Sequence, residues 1–141
     1  MLSYKFFNQL PKEAMYIRET VFIKEQGFHN EFDDIDAKAI HLIIYIDDNA
    51  VGNVRTFVDK KEPFTYIIGR LAVLKDYRKL HLGQKLIQLI ETKIKKSGGK
   101  KAVLSAQCQA QKFYEKLGYV ASGDVYLDEH CPHIHMEKIL L

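Results

Sequence analysis

The stretch IIGRLAVLKDYRKLHLGQKLI, residues 67–87, decides how the rest of the chain is arranged. Ile67 to Leu74 is rich in Ile, Leu and Val and has the length of a strand buried on both faces. Gly69 and the charged Arg70 interrupt that run, and a glycine inside a strand marks a bulge or a close backbone approach. A polar and basic turn follows, Lys75-Asp76-Tyr77-Arg78-Lys79. From about Leu82 the pattern is helical. Leu82, Leu86, Leu89, Ile90 and Ile94 share one stripe, and Gln84, Lys85, Gln88, Glu91 and Lys95 fall largely elsewhere. A buried strand, a basic turn and a helix N-terminus in succession suit a phosphate group, because first-turn N–H groups lack partners inside the helix and the dipole favours negative charge there. No G-x-x-x-x-G-K-[ST] is present, which excludes a P-loop, and no G-x-G-x-x-G, which argues against a dinucleotide fold.

The 141 residues suit a single domain, 1–141, around one core. A hydrophobic content of 47% with 28% charged residues is that of a globular protein, and no apolar run approaches the ~20 residues of a membrane span. The opening MLSYKFFNQLPKE lacks the basic start, apolar stretch and cleavage site of a signal peptide, so a cytoplasmic location is expected. Cys108 and Cys131 lack metal-ligand spacing and read as free thiols. The net charge of +3 includes Lys93, Lys95, Lys96, Lys100 and Lys101 near one helix end. They could serve an anionic ligand or be solvated lysines; nucleic-acid binding would want a stronger basic bias with interleaved aromatics.

Working outward, Leu2–Phe7 reads as a first strand, and Pro11 sits at a helix N1 position before a helix from about Lys12 to Lys24. Residues 25–39 form a polar loop. Ile40–Ile46 and Ala50–Val58 are strands joined by Asp47-Asp48-Asn49, which is hairpin chemistry. After the helix that begins near Leu82, Ser97-Gly98-Gly99 is a stop. Lys101–Ala106 is a strand, Ala110–Leu117 a helix, and Val120–Leu127 with His133–Ile139 a closing hairpin. The order β-α-β-β-β-α-β-α-β-β predicts an α/β mixed sheet of about seven strands with helices on both faces. Its second to fourth strands should be antiparallel and its fourth and fifth parallel.

Three blocks carry a family resemblance. Arg78-Lys79-Leu80-His81-Leu82-Gly83 resembles the pyrophosphate loop [Q/R]-x-x-G-x-[G/A] of the GNAT (GCN5-related) N-acetyltransferases, with His81 in place of the first glycine. Gln107 to Tyr119 resembles the family's N-x-x-A-x-x-F-Y-E-x-x-G-F, matching at Ala110, Phe113, Tyr114, Glu115 and Gly118. R-x-x-V-F-x-x-E-Q at Arg18–Gln26, with Arg70-Leu-Ala-Val and Pro132-His133-x-x-Met136, is similar to the ElaA/YjcF subgroup, which also relaxes that first glycine. The resemblance covers nearly the whole chain and implies the GNAT fold, its sheet splayed between the fourth and fifth strands.

It also implies acetyl-CoA as cosubstrate and acetyl transfer to a primary amine of a small molecule, by direct attack in a ternary complex. Backbone N–H groups of Leu71, Ala72 and Val73 would hold the acetyl oxygen and pantetheine. Arg78, Lys79, His81, Leu82, Gly83 and Gln84 would hold the pyrophosphate, and Gln107 and Phe113 complete the cofactor set. Tyr114 would be the general acid; the plain alternative is an aromatic core residue. His133 lies in a stretch similar to the last strand of a family member whose matching histidine is the base; the alternative is a structural histidine. That relative binds an anionic substrate with arginines, and Gln107 stands in place of one. His130, Cys131, His133 and His135 lack convincing third and fourth ligands for a closed metal site, so no metal is expected.

Arg18, Glu25, His41, Arg55 and Arg70 are polar residues within otherwise apolar elements, read either as buried ion pairs or as an acceptor pocket. Glu31, Asp33, Asp34 and Asp36 form a solvated loop or attract a cationic amine. Cys108 packs or lines the pocket. Rival readings are a protein lysine or N-terminal acetyltransferase, and an acetyl-CoA-binding protein without activity. The expected partners are a small amine, no nucleic acid and no membrane, with a homodimer left open.

Overall fold

The computed structural model describes residues 1–141. Its seven strands are β1 (Leu2–Phe7), β2 (Ile40–Ile46), β3 (Asn49–Val58), β4 (Thr65–Val73), β5 (Lys101–Gln107), β6 (Val120–Asp128) and β7 (Cys131–Ile139). They form one sheet in the order β1-β2-β3-β4-β5-β7-β6. Only β4 and β5 run parallel, as expected for two strands joined through a helix; the other neighbours are antiparallel. The turn between β2 and β3 places Asp47 and Asp48 at φ 49° and 68°, the left-handed pair that a two-residue hairpin needs.

The helices are α1 (Lys12–Arg18), α2 (Leu82–Lys96) and α3 (Gln111–Lys116). α2 buries Leu82, Leu86, Ile87, Ile90 and Ile94 against Leu42, Ile44, Val54 and Ile68. Glu91, which the periodicity set apart from the stripe, is buried too. It accepts from the Tyr119 hydroxyl at 2.8 Å and from Lys138 Nζ at 2.9 Å, so the charge is paired where α2 meets the last two strands. Ile17, Val21, Phe22, Phe28, Ala72 and Cys131 form a second cluster around α1.

Three local departures from the sequence expectation set the geometry around the sheet's centre. The first helix covers the expected span from Lys12 to Lys24 but changes type within it. It is α-helical to Arg18 and then widens into a π-helix over Glu19–Glu25, where Gln26 N–H reaches Val21 C=O at 3.0 Å. The polar loop contains a short 3₁₀ turn, Asp34–Ala37, closed by a capping box between Asp33 and Asp36. The bulge in β4 falls one residue beyond Gly69. Arg55 pairs with Gly69 and Asn53 with Ala72, so Val54 faces both Arg70 and Leu71, and it is Arg70 that takes φ 58°. A side chain is strained in that region. Arg70 is held there by the Asn53 amide donating to its carbonyl at 2.9 Å and by its own guanidinium pairing with Glu31 at 2.8 Å.

The bulge has a consequence for the whole sheet. β4 and β5 pair only from Thr65–Lys101 to Ile68–Leu104, although both strands continue, and β7 stays paired with β5 as far as His133–Gln107. The sheet is therefore open between the C-terminal halves of β4 and β5.

Candidate active site

The opening between β4 and β5 leads into a cavity of about 510 Å³. One wall is the unpaired edge of β4. Leu74 N–H bonds Val51 C=O at 2.8 Å, so with the register Ala72–Asn53 the alternation turns the Ala72 amide toward β3 and those of Leu71 and Val73 toward the gap. Of the backbone N–H groups around Leu71–Val73, those of Leu71 and Val73 are thus the ones that face the gap. Ala72 lines the cavity and also packs into the core around α1.

From the turn that precedes α2 only Arg78 lines the cavity; Lys79 and His81–Gln84 lie outside its lining. Lys75–Leu80 winds as a 3₁₀ helix, and His81 then takes φ 58°, ψ 29° as the N-cap of α2 without a side-chain cap. The first helical bond at this end is Lys85 N–H to His81 C=O, 3.2 Å, which leaves the N–H groups of Leu82, Gly83 and Gln84 without helical partners. Gly83 faces Phe113: a Cβ there would lie 3.4 Å from the ring, at the edge of ordinary van der Waals contact. Lys79 is exposed within that turn. Arg78, expected on a pyrophosphate, is engaged elsewhere. Its Nη atoms donate to both Glu25 oxygens at 2.6 and 2.7 Å, and its Nε to Val73 C=O at 2.9 Å. Those hydrogen bonds hold the Glu25 carboxyl below its ordinary value. Glu25, expected among acceptor residues, thus forms a strap to the loop before α2.

Tyr114 and His133 line the same cavity from α3 and β7. Tyr114 is buried between Phe113 and Tyr119, with ring centroids at 5.0 and 5.9 Å, and its hydroxyl has no partner in the protein. Burial raises its phenol above the ordinary tyrosine value. His133 stacks on Tyr126 and meets Phe28 edge-on. Its Nδ1 lies 2.8 Å from Cys131 C=O, and a carbonyl only accepts, so Nδ1 carries the hydrogen and the neutral ring keeps its lone pair on Nε2. Gln107 is tied at both ends of its amide. It donates to Gln26 at 2.8 Å and accepts from Gln109 at 2.8 Å.

On the acceptor side lies a buried charge network. Arg18, fully buried, donates to Glu31 (2.9 Å) and to both oxygens of Asp36 (2.7 and 3.1 Å). Arg55 donates to Asp33 (2.7 and 3.0 Å) and Asp36 (2.8 Å), and its Nε has no partner. Arg70 adds contacts to Glu31 (2.8 Å) and Asp33 (3.3 Å). Burial works to raise the Asp36 carboxyl, but the hydrogen bonds and charge of Arg18, aided by Arg55, overcome it and hold the group at about 2. Burial raises Glu31 against the pull of Arg70 and Arg18. His41 donates from Nε2 to Asp36 C=O at 2.9 Å while burial lowers its basicity.

Of the residues expected at the acceptor, Arg55 and Arg70 line the cavity. Arg18 and His41 do not; they lie behind it and hold the network together, a correction to their placement. The acidic loop is not merely solvated. Glu31, Asp33 and Asp36 are drawn in as counter-ions, and the signal was present in the chain as three arginines inside apolar elements that need partners. Phe28 and Tyr126 were not singled out, and no local pattern marks them; Gln26 closes the Arg18–Gln26 block but was given no role there.

Comparison with known proteins agrees with this geometry. The sequence profile of the acetyltransferase (GNAT) domain matches residues 9–140. YjcF of Bacillus subtilis, described as an uncharacterized N-acetyltransferase, is 34% identical over 130 residues, 90% of this chain and 91% of that one. Among solved structures, Escherichia coli ElaA matches with a TM-score of 0.87 at 24% identity, covering 98% of this chain and 99% of the other. An aminoglycoside 6'-N-acetyltransferase complexed with coenzyme A matches at 0.73 and 18% identity, over 99% and 97%. No helix is long and apolar enough to cross a membrane. With a family profile spanning residues 9–140 and a relative 34% identical over 90% of the chain, the chain belongs to the GNAT acetyltransferase family.

Proposed function

We propose that residues 1–141 act as a single cytoplasmic domain that transfers an acetyl group from acetyl-CoA to a primary amine of a small molecule. The observation that carries this reading is that the Tyr114 hydroxyl and His133 Nε2, neither with a partner in the protein, line one cavity at the opening between β4 and β5. A solved neighbour in fold is complexed with coenzyme A. The residues present suit such a ligand. The gap-facing N–H groups of Leu71 and Val73 offer a strand edge to the amides of a pantetheine arm, and the first-turn N–H groups of Leu82, Gly83 and Gln84 offer donors to a pyrophosphate. Backbone donors ask little of side-chain identity, which makes His81 compatible with the loop.

The thioester supplies an activated acyl group; the chain supplies donors, an acid and a base. A free amine attacks the carbonyl carbon, forming a C–N bond as the C–S bond breaks. His133 Nε2 takes the proton lost by nitrogen, and the Tyr114 hydroxyl gives a proton to the departing thiolate. The gap-facing N–H groups of Leu71 and Val73 would donate to the carbonyl oxygen as charge develops on it. Burial keeps the Tyr114 phenol protonated at neutral pH, so its hydroxyl stays available as a donor beside the departing sulfur.

Calorimetry with acetyl-CoA, followed by thiol release with a panel of amines and peptides, tests the reading. Clear binding and turnover with small amines are expected. No binding at millimolar acetyl-CoA would overturn it, and turnover restricted to peptides would reassign the acceptor.

A further inference from the structure

We propose that Glu31 holds a second, cationic group of the acceptor, so that the substrate is a small diamine bound as an ammonium at Glu31 while its other nitrogen is acetylated. The proposal rests on the acyl-transfer reading. Glu31 is 5% exposed and lines the cavity that Tyr114 and His133 also line. Its two oxygens are used unequally. Oε2 accepts from Arg18 Nε (2.9 Å) and lies 2.8 Å from Arg70 Nε as an ion pair, and the Glu31 carbonyl accepts from Arg18 Nη2 (3.0 Å), Arg70 Nη2 (3.1 Å) and Arg70 Nε (3.3 Å). Oε1 receives no donor, and it is not among the fully enclosed atoms that lack a partner. It is therefore an open acceptor on a carboxylate that is otherwise shut away from water. A carboxylate oxygen so placed is stabilised by any donor a ligand brings, most by a charged one.

The surrounding charges select the sign of that ligand. Three arginines, Arg18, Arg55 and Arg70, meet three carboxylates, Glu31, Asp33 and Asp36, and Asp36 and Asp33 are each shared between two arginines. Every guanidinium in the set is matched by a carboxylate, so an anionic acceptor would find no free positive charge beside Glu31; the one unpartnered donor, Arg55 Nε, belongs to an arginine already paired with Asp33 and Asp36. An ammonium would complete the donors around Oε1.

That nitrogen is not the one that reacts. A group hydrogen-bonded to a buried carboxylate is kept protonated, has no lone pair and cannot attack a thioester. The reacting nitrogen must be another, and a cavity of about 510 Å³ leaves room for a short alkane spacer between the two.

The test compares 1,4-diaminobutane with 1-aminopentane, which replaces one ammonium by a methyl group. With coenzyme A present, calorimetry should show the wild-type protein binding the diamine roughly 10–100-fold more tightly. Glu31→Gln should reduce that preference to about threefold or less, within ordinary context effects. Glu31 also holds Arg18 and Arg70, so Glu31→Asp, which keeps the charge, is measured beside it and should retain part of the preference. Equal or undetectable binding of the two amines by wild type, or an intact preference in folded Glu31→Gln, overturns the proposal. Preferential diamine binding without thiol release from acetyl-CoA would leave the Glu31 subsite standing and sink the acyl-transfer reading instead.

Discussion

His81→Gly isolates a single backbone angle. His81 sits at φ 58°, ψ 29°, is exposed, and makes no side-chain hydrogen bond to the start of α2. A side chain in that region costs about 1–2 kcal/mol, because Cβ crowds the following carbonyl oxygen. Glycine removes the crowding but adds freedom to the unfolded chain, offsetting about 0.5–1 kcal/mol of the gain. The net expectation is a stabilisation of about 0.5–1 kcal/mol. For a chain of this length that corresponds to a rise in Tm of about 2–4 °C. His81→Ala is the control: it deletes the imidazole and keeps the Cβ, so its Tm should remain near wild type. Circular dichroism melts of the three proteins measure the difference. Calorimetry should give His81→Gly an acetyl-CoA affinity equal to or better than wild type, since backbone donors and not the ring are assigned to the phosphates. A Tm for His81→Gly at or below that of His81→Ala would refute the strain argument. A large affinity loss in both variants would make the imidazole a ligand.

Three further outcomes are expected. Tyr114→Phe should keep the fold and the acetyl-CoA affinity while lowering the acyl-transfer rate about 10²–10⁴-fold under single-turnover conditions; an unchanged rate would assign Tyr114 to packing. His133→Ala should remove the rise of kcat/KM with pH that depends on a neutral imidazole; a profile identical to wild type, with an acceptor of known pKa, would place the base elsewhere. Asp36 is held at about 2 against an ordinary 3.8, so its carboxylate contributes about 2 kcal/mol to stability at neutral pH. Because the folded value is the lower one, that contribution is complete above about pH 4 and fades as pH falls toward 2. Denaturant titrations of wild type and Asp36→Asn should therefore differ most at neutral pH and converge in acid; a constant difference would mean that the carboxylate charge is not what matters.

The elements set by near neighbours were legible in the chain. Asp47-Asp48 forces the β2–β3 turn, the apolar stripe of α2 chooses its buried face, and the Gly98-Gly99 stop ends it, with Gly98 at φ 92° and Gly99 N–H on Ile94 C=O at 2.9 Å. The order of strands and helices then leaves little choice but a mixed sheet, and the motif blocks point to its use. Residues that act through distant partners were not legible. Arg78 and Glu25 are 53 positions apart, and either could have faced a ligand; only closure of the π-helix against the loop before α2 pairs them. Arg18 meets Asp36 across 18 positions and Arg70 meets Glu31 across 39, contacts that depend on where the acidic loop lands. The sequence suggested the bulge through Gly69, yet the left-handed residue is Arg70, because its side chain is anchored by Glu31. Local torsional preference and hydrophobic period act within a few residues of the chain, so sequence by itself settles them. The partner of a buried charge is decided only when water has been excluded around it, and that happens in the assembled tertiary structure.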